Sequence, residues 1–348
     1  MDNQEIRTLR LANQQISSTN FKKPEELVQY LGAMQAQEYA MAKWAIGLRI
    51  PNLTVQDVDA AIDAGKIIRM HLLRPTWHFI VPEDSRWMLA LTAPQIHKKI
   101  KSFYSKFDLT PKKMHQACSI IEEALVEKEL TRKELATIVA EKGIQTTSQS
   151  FSFIILFGEL EGLLCSGKMR GNQAVYTLLS KFVAPSLTSF IREEALAKLA
   201  LRYFTSRGPA TVQDFAYWSG LSIKDARLGT QFLSNDFSSF LNDGKEYWYL
   251  PTNNAYVPND CGTFLFPDFD EYGISYKNRD IFLNKEYPIS PFMEHKHWLM
   301  VGGMIEGTWQ SDKSDLSEVR TELFNPKKRV NQHAIHKAVA NYQQFHLK

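Results

Sequence analysis

Two glutamines set two residues apart, Gln35 and Gln37, and a run of acids, Asp268, Asp270 and Glu271, are the side chains of this 348-residue sequence whose types and spacing invite a chemical reading. Gln35-Ala36-Gln37 follows the apolar stretch Leu31-Gly32-Ala33-Met34 and precedes a helical one. In extended backbone, residues two apart face the same way, so the two amides would project together. Glutamines at a helix junction also serve as solvated residues or backbone caps, and the residues alone leave both readings open. Asp268 and Asp270 would share one strand face, where carboxylates could activate a water; a solvated turn, or a bond to Tyr272, is the plainer alternative. No metal site is expected. The nine His are scattered, and the close pairs His295/His297 and His333/His336 lack neighbouring carboxylates. There is no P-loop, no dinucleotide glycine fingerprint and no G-x-S-x-G. The glycines of Val301-Gly-Gly-Met read as a turn, and no cofactor is expected.

These residues need a scaffold, and a repeated phrase suggests one. Thr54-Val-Gln-Asp57, Thr131-Arg-Lys-Glu134 and Thr211-Val-Gln-Asp214 each place a threonine three residues before a carboxylate, with starts 77 and then 80 residues apart. That is the order of a capping box, in which the hydroxyl satisfies a free helix N–H and the acid reaches back to the cap. Behind each phrase comes a β-rich pair: Lys66–Met70 with Trp77–Val81, Leu163–Lys168 with Ala174–Leu178, and Phe237–Leu241 with Tyr247–Pro251. Helix, capped helix, helix, hairpin is the order of a winged helix, and the spacing predicts three such units in register. Beyond Asn253 the text changes. Phe264-Leu-Phe-Pro-Asp-Phe-Asp-Glu-Tyr, the Trp298–Trp309 stretch and Glu318–Leu323 read as strands of a small β-module, closed by a helix over Ala334–Phe345. The expected fold is mainly α with β-hairpin wings, an α+β chain. Its parts are unit one over 1–90, linker helices and unit two over 91–182, unit three over 183–252, and a C-terminal β-rich module over 253–348.

Composition is that of a globular protein, 44% hydrophobic and 23% charged, with a net charge of +3. Cys118, Cys165 and Cys261 are far apart and form no C-x-x-C, which suits a reduced, cytoplasmic setting. Met1-Asp-Asn-Gln-Glu is acidic and polar rather than a signal peptide, and no apolar run approaches a membrane span. Charge is uneven. Gln95 to His115 holds six Lys against one Asp, and Ser234 to Asp280 eight acids against three bases. The basic segment, with Lys98, Lys99 and Lys101, could face phosphates. So could Arg74, Lys168 and Arg170 at two of the three wing tips, where loops are easily placed against a nucleic-acid backbone.

Leu31-Gly-Ala-Met-Gln-Ala-Gln-Glu-Tyr, then Leu73-Arg-Pro-Thr-Trp-His-Phe-Ile-Val-Pro-Glu-Asp-Ser-Arg-Trp-Met-Leu, then Phe266-Pro-Asp-Phe-Asp-Glu-Tyr, in that order, resemble the AlkZ-type winged-helix DNA glycosylases. These are bacterial enzymes of alkylpurine and interstrand-crosslink repair. The resemblance spans nearly the whole chain. It implies tandem winged helices with a C-terminal β-module, C-shaped around double-stranded DNA, and a monomer that needs no cofactor. The family's signature is Gln-apolar-Gln, with a sister branch using Gln-apolar-Asp, so the resemblance makes Gln35 and Gln37 the catalytic candidates. His78, Asp268 and Asp270 lie in matching text and stand second. The implied reaction is monofunctional hydrolysis of the N-glycosidic bond of cationic alkylated purines, with unhooking of crosslinks as an extension. A cationic purine leaves without protonation, so amide dipoles suffice to place a water and stabilise an oxocarbenium-like sugar. The alternative is a non-catalytic winged-helix DNA-binding protein, regulator or scaffold. Against it, the expected recognition helix of unit two, Ser148–Leu160, is apolar and lacks base-reading residues.

Overall fold

The three threonine caps form as expected. Thr54, Thr131 and Thr211 each accept a backbone N–H from the acid three residues on, and that acid's side chain accepts the cap's own N–H. The computed structural model describes residues 1–184, 191–251, 261–283, 287, 297–312 and 318–347; residues 185–190 of the expected unit three, and His295, lie outside them. Helix α1 (Asn3–Asn13) leads into unit one: α2 (Pro24–Leu31), β1 (Met34–Gln35), α3 (Tyr39–Gly47), α4 (Val55–Asp63), β2 (Ile68–Leu72) and β3 (Thr76–Ile80). A 25-residue helix, α5 (Pro82–Lys106), follows. Unit two is α6 (Pro111–Leu125), β4 (Leu130–Thr131), α7 (Arg132–Glu141), α8 (Ser148–Leu160), β5 (Leu164–Arg170) and β6 (Gln173–Leu178). Unit three is α9 (Arg192–Arg207), α10 (Val212–Ser219), α11 (Ile223–Gln231), β7 (Ser238–Asn242) and β8 (Lys245–Tyr249).

Units one and two share the order helix, short strand, two helices, hairpin, and in unit three a single bridging residue, Ala210, stands in the strand's place. The short strand always lies on the hairpin's last strand. Gln35 pairs with His78, Leu130 with Tyr176, and Ala210 bridges to Trp248. This corrects the register of the threonine repeat. Thr131 and Thr211 cap the second helix of their units, but Thr54 caps the third helix of unit one. Its counterparts are Thr147 and Ser222, which cap α8 and α11. A T-x-x-acid phrase satisfies exposed N–H groups at any helix start, so it marks starts and not their order.

The first two hairpins fuse. Arg69 of β2 pairs with Ser166 of β5, giving one six-stranded sheet in the order β1-β3-β2-β5-β6-β4. Helix α8 is buried along most of its length, with Phe151, Ile154, Ile155 and Leu160 in the core. The C-terminal module is a four-stranded antiparallel sheet of β9 (Thr263–Phe266), β10 (Trp298–Val301), β11 (Met304–Ser311) and β12 (Val319–Leu323). The short α12 (Glu271–Ile274) lies between β9 and β10, and α13 (Gln332–His346) closes the chain. Two indoles fix this module. Trp44 of α3 donates to the Leu265 carbonyl at 2.8 Å, and Trp309 to the Phe266 carbonyl at 2.8 Å. Trp44, 1% exposed, packs against Tyr342 and Phe345 of α13. Its truncation to Ala would cost about 3–5 kcal/mol. The consequence for the site is positional: the turn after β9 is carried to the edge of unit one, beside β1.

Candidate active site

The Gln-Ala-Gln segment is an edge strand tied down by charged side chains from three parts of the chain. Gly32, at φ 78, ends α2 and turns the chain into β1. There Gln35 faces His78 across the ladder, and the Ala36 N–H donates to the Trp77 carbonyl at 2.7 Å. Directly opposed side chains in an antiparallel pair share a face, so Gln35 and His78 are neighbours. The Gln35 N–H donates instead to Glu271 Oε1, at 2.9 Å. Its side-chain Oε1 accepts from Arg74 Nη2 at 3.0 Å. Arginine has only donors, so the atom facing it must be the amide oxygen, and the flip of Gln35 is thereby set. One oxygen lone pair and the whole NH₂ remain. Arg69 holds the next two residues: its Nε donates to the Ala36 carbonyl at 2.9 Å and its Nη2 reaches the Gln37 carbonyl at 3.4 Å. Arg69 in turn lies 4.3 Å over the Trp77 ring. The half-buried Gln37 amide has no protein partner among the described residues.

Glu271 is the electrostatic centre of this arrangement. It is 1% exposed. Its Oε2 accepts from Arg207 Nη2 at 2.6 Å, from the Trp218 indole at 2.9 Å and from Ser275 Oγ at 3.1 Å. Burial alone would raise its carboxyl; the charge and hydrogen bond of Arg207 and the Gln35 N–H outweigh it and bring the group down to about 2. Arg207, itself fully buried, spends its other Nη donors on the Leu31 and Ala33 carbonyls just before β1 and on Ser206 Oγ. Glu271 stood in the acidic run as a candidate for water activation and not as an anchor of β1; Arg207 and Arg69 did not stand among the expected site residues. A legible signal existed for Arg69, a lone arginine inside the apolar strand text Ile67-Ile-Arg-Met-His-Leu.

His78 is fully buried and neutral. Burial first, and then the Arg74 charge, lower it to about 3. Its Nδ1 lies 2.9 Å from the Thr76 carbonyl, an acceptor, so Nδ1 carries the proton and Nε2 is an acceptor without a partner. On the sheet's other face His71 meets Glu159 in a buried contact and packs tilted against Trp77, ring centroids 4.5 Å apart.

The remaining expectations fall unevenly. Asp268 and Asp270 do not share a strand face. β9 ends at Phe266, Phe269 adopts φ 58, and Asp270 becomes the N-cap of α12. Asp270 is 4% exposed and bound by both Arg49 Nη atoms at 2.8 and 2.9 Å, so its oxygens are committed to structure. Asp268 lies 3.5 Å from His297 Nε2. Arg74 is not a free wing-tip base. It is half-buried, under the Tyr217 ring at 5.6 Å, because the tip packs against unit three. Lys168 pairs with Glu129 at 3.2 Å and Arg170 with Glu134 at 3.1 Å. Lys98 and Lys101 are exposed on α5, and Lys99 donates to the Gly220 carbonyl at 3.0 Å. A cavity of about 630 Å³ beyond Tyr217, lined by Lys245, Lys277 and Arg279, includes neither glutamine. The described residues contain no group of three or more metal-ligating side chains, and no helix long and apolar enough to cross a membrane.

Comparison with known proteins gives concordant matches. The family model described as DNA glycosylase AlkZ-like matches residues 28–345. A curated relative, the interstrand DNA cross-link repair glycosylase of Streptomyces sahachiroi, is 23% identical over 335 residues, spanning 91% of this chain and 90% of that protein. The solved structure of Streptomyces sahachiroi DNA glycosylase AlkZ superposes with a TM-score of 0.80 at 19% identity, covering 99% of this chain and 96% of that one.

Proposed function

This chain belongs to the AlkZ-like DNA glycosylase family, and on that premise we propose that it hydrolyses the N-glycosidic bond of cationic N7- or N3-alkylated purines in double-stranded DNA, with Gln35 and Gln37 as its catalytic residues. The observation that carries the proposal is the binding of Gln35 at both ends, its N–H by Glu271 and its amide oxygen by Arg74, which leaves one lone pair and the NH₂ oriented but unused. A preorganised amide of this kind holds a water and meets developing positive charge on the sugar without titrating. The surroundings also support selectivity for cationic bases. Glu271 is ionised and committed to Arg207, and His78 is neutral with its Nδ1 proton directed at Thr76. Among the described residues around Gln35 no strong acid stands ready to protonate a normal purine, so a normal purine stays attached. The Streptomyces relative is named for interstrand cross-link repair, and we extend the proposal to crosslinks made through the same cationic purines. The protein is expected to act as a monomer in the cytoplasm. The test is incubation with a duplex carrying a single N7-alkylguanine, followed by alkali. Strand breaks at the lesion, absent from unmodified duplex, are the expected result, and an intact strand contradicts the proposal.

A further inference from the structure

We infer that Arg74 is a positioning residue for catalysis, setting the orientation of the Gln35 amide, rather than a wing-tip contact to DNA phosphate. The inference rests on the catalytic assignment of Gln35 above. Its first support is the Arg74 Nη2 to Gln35 Oε1 hydrogen bond at 3.0 Å. The second is the seat of the tip. Leu73 adopts φ 59, and Thr76 N–H returns to the Arg74 carbonyl at 2.7 Å, a tight turn that aims Arg74 back along the sheet. That turn is pressed on Gly220, the C-cap of α10. Gly220 has φ 72, and a Cβ there would lie 2.4 Å from the Leu73 carbonyl oxygen and 3.4 Å from Arg74 Cγ. Lys99 of α5 holds the same Gly220 carbonyl at 3.0 Å. The guanidinium also lies 5.6 Å over the Tyr217 ring of α10. Residues of unit three and of α5 thus fix an arginine of unit one, and through it a glutamine on β1.

The chemistry favours arginine here. A guanidinium presents several donors in one plane and, once packed, holds an amide oxygen in one direction; an ammonium is a single point charge on a flexible stem. A phosphate contact predicts different behaviour, namely weaker binding with an unchanged rate at saturation.

The experiment uses the full chain in excess over a duplex containing N7-methylguanine. It measures the single-turnover rate at saturation and, separately, the dissociation constant by fluorescence anisotropy. Arg74→Ala is expected to lower the saturating rate roughly 10- to 100-fold, the range of one charge-assisted hydrogen bond, with affinity little changed. Arg74→Ala combined with Gln35→Ala should be no slower than Gln35→Ala alone, because the arginine acts only through that amide. Added guanidinium ion should restore part of the Arg74→Ala rate. Arg74→Lys, which keeps the charge, is expected to be slow as well and serves if the alanine variant fails to fold. A wild-type saturating rate in either Arg74 variant, beside a slow Gln35→Ala, overturns the inference and leaves the glutamine assignment standing. A multiplicative loss in the double variant also overturns it. A wild-type rate in Gln35→Ala overturns the glutamine assignment, and this inference with it.

Discussion

Replacing Glu271 with Gln should damage stability and catalysis together. The carboxylate is 1% exposed and takes donors from Gln35, Arg207, Trp218 and Ser275. Glu271→Gln keeps the shape and removes the charge, stranding the fully buried Arg207 guanidinium. Breaking a buried ion pair on one side costs about 3–5 kcal/mol, a large part of the roughly 5–15 kcal/mol that holds a folded domain. With a urea dependence of about 1–3 kcal/mol per molar, the unfolding midpoint should fall by roughly 1–5 M. Tryptophan fluorescence follows the unfolding, with Trp218, whose indole N–H donates to the same Oε2, among its seven reporters. Adding Arg207→Met to Glu271→Gln should recover part of the loss, because the second change removes the unpaired charge. In Glu271→Gln the excision rate should fall as well, since the Gln35 N–H now meets a neutral acceptor. A midpoint within error of the wild type, or a double variant less stable than the single, would refute the assignment of Glu271 and Arg207 as a charge pair that anchors β1.

Two further outcomes follow from the same geometry. Lys168→Ala with Arg170→Ala should weaken DNA binding similarly across sequences and flatten its salt dependence, whereas Glu129→Gln with Glu134→Gln should tighten binding by releasing both bases from their ion pairs; anisotropy titrations at two salt concentrations check both, and no change in either variant removes these bases from the DNA face. His78, buried and with the Arg74 charge near it, is held at about 3 against an ordinary 6.5, so its contribution to stability is present above pH 6.5 and lost as pH falls toward 3. Glu271, held at about 2 against 4.5, adds stability present above pH 4.5 and lost toward pH 2. The melting temperature should therefore decline from pH 7 to pH 4, before most of the Glu271 loss, and less steeply in His78→Gln; a flat profile to pH 4 contradicts the buried neutral histidine.

What was legible in the sequence was local. The hairpins show in their β-branched and aromatic text, and the capped helices in their threonines, because both signals act within a few residues. The order of elements inside unit one was not legible. β1 is two residues long and has no pattern of its own; it exists because β3 offers an open edge. Arg74 reads as an exposed tip because its burial comes from Gly220 and Tyr217, more than 140 residues away in the chain. Asp270 and Glu271 are adjacent and chemically alike in sequence, yet one binds Arg49 and the other serves Gln35 and Arg207. Both are buried; their separation is made by the single turn that begins α12, and no composition or spacing encodes which acid meets Arg49 and which meets Arg207.

The central claim is that the Gln35 and Gln37 amides perform the hydrolysis. Its most direct measurement is the single-turnover excision rate of N7-methylguanine from duplex DNA by Gln35→Ala and by Gln37→Ala, with DNA affinity and melting temperature recorded on the same samples. The account predicts a rate lower by roughly 10²–10³ for each, the usual loss on removing one preorganised dipole, with affinity and stability close to the wild type. Excision by the Gln35→Ala/Gln37→Ala double variant at the wild-type rate would contradict it.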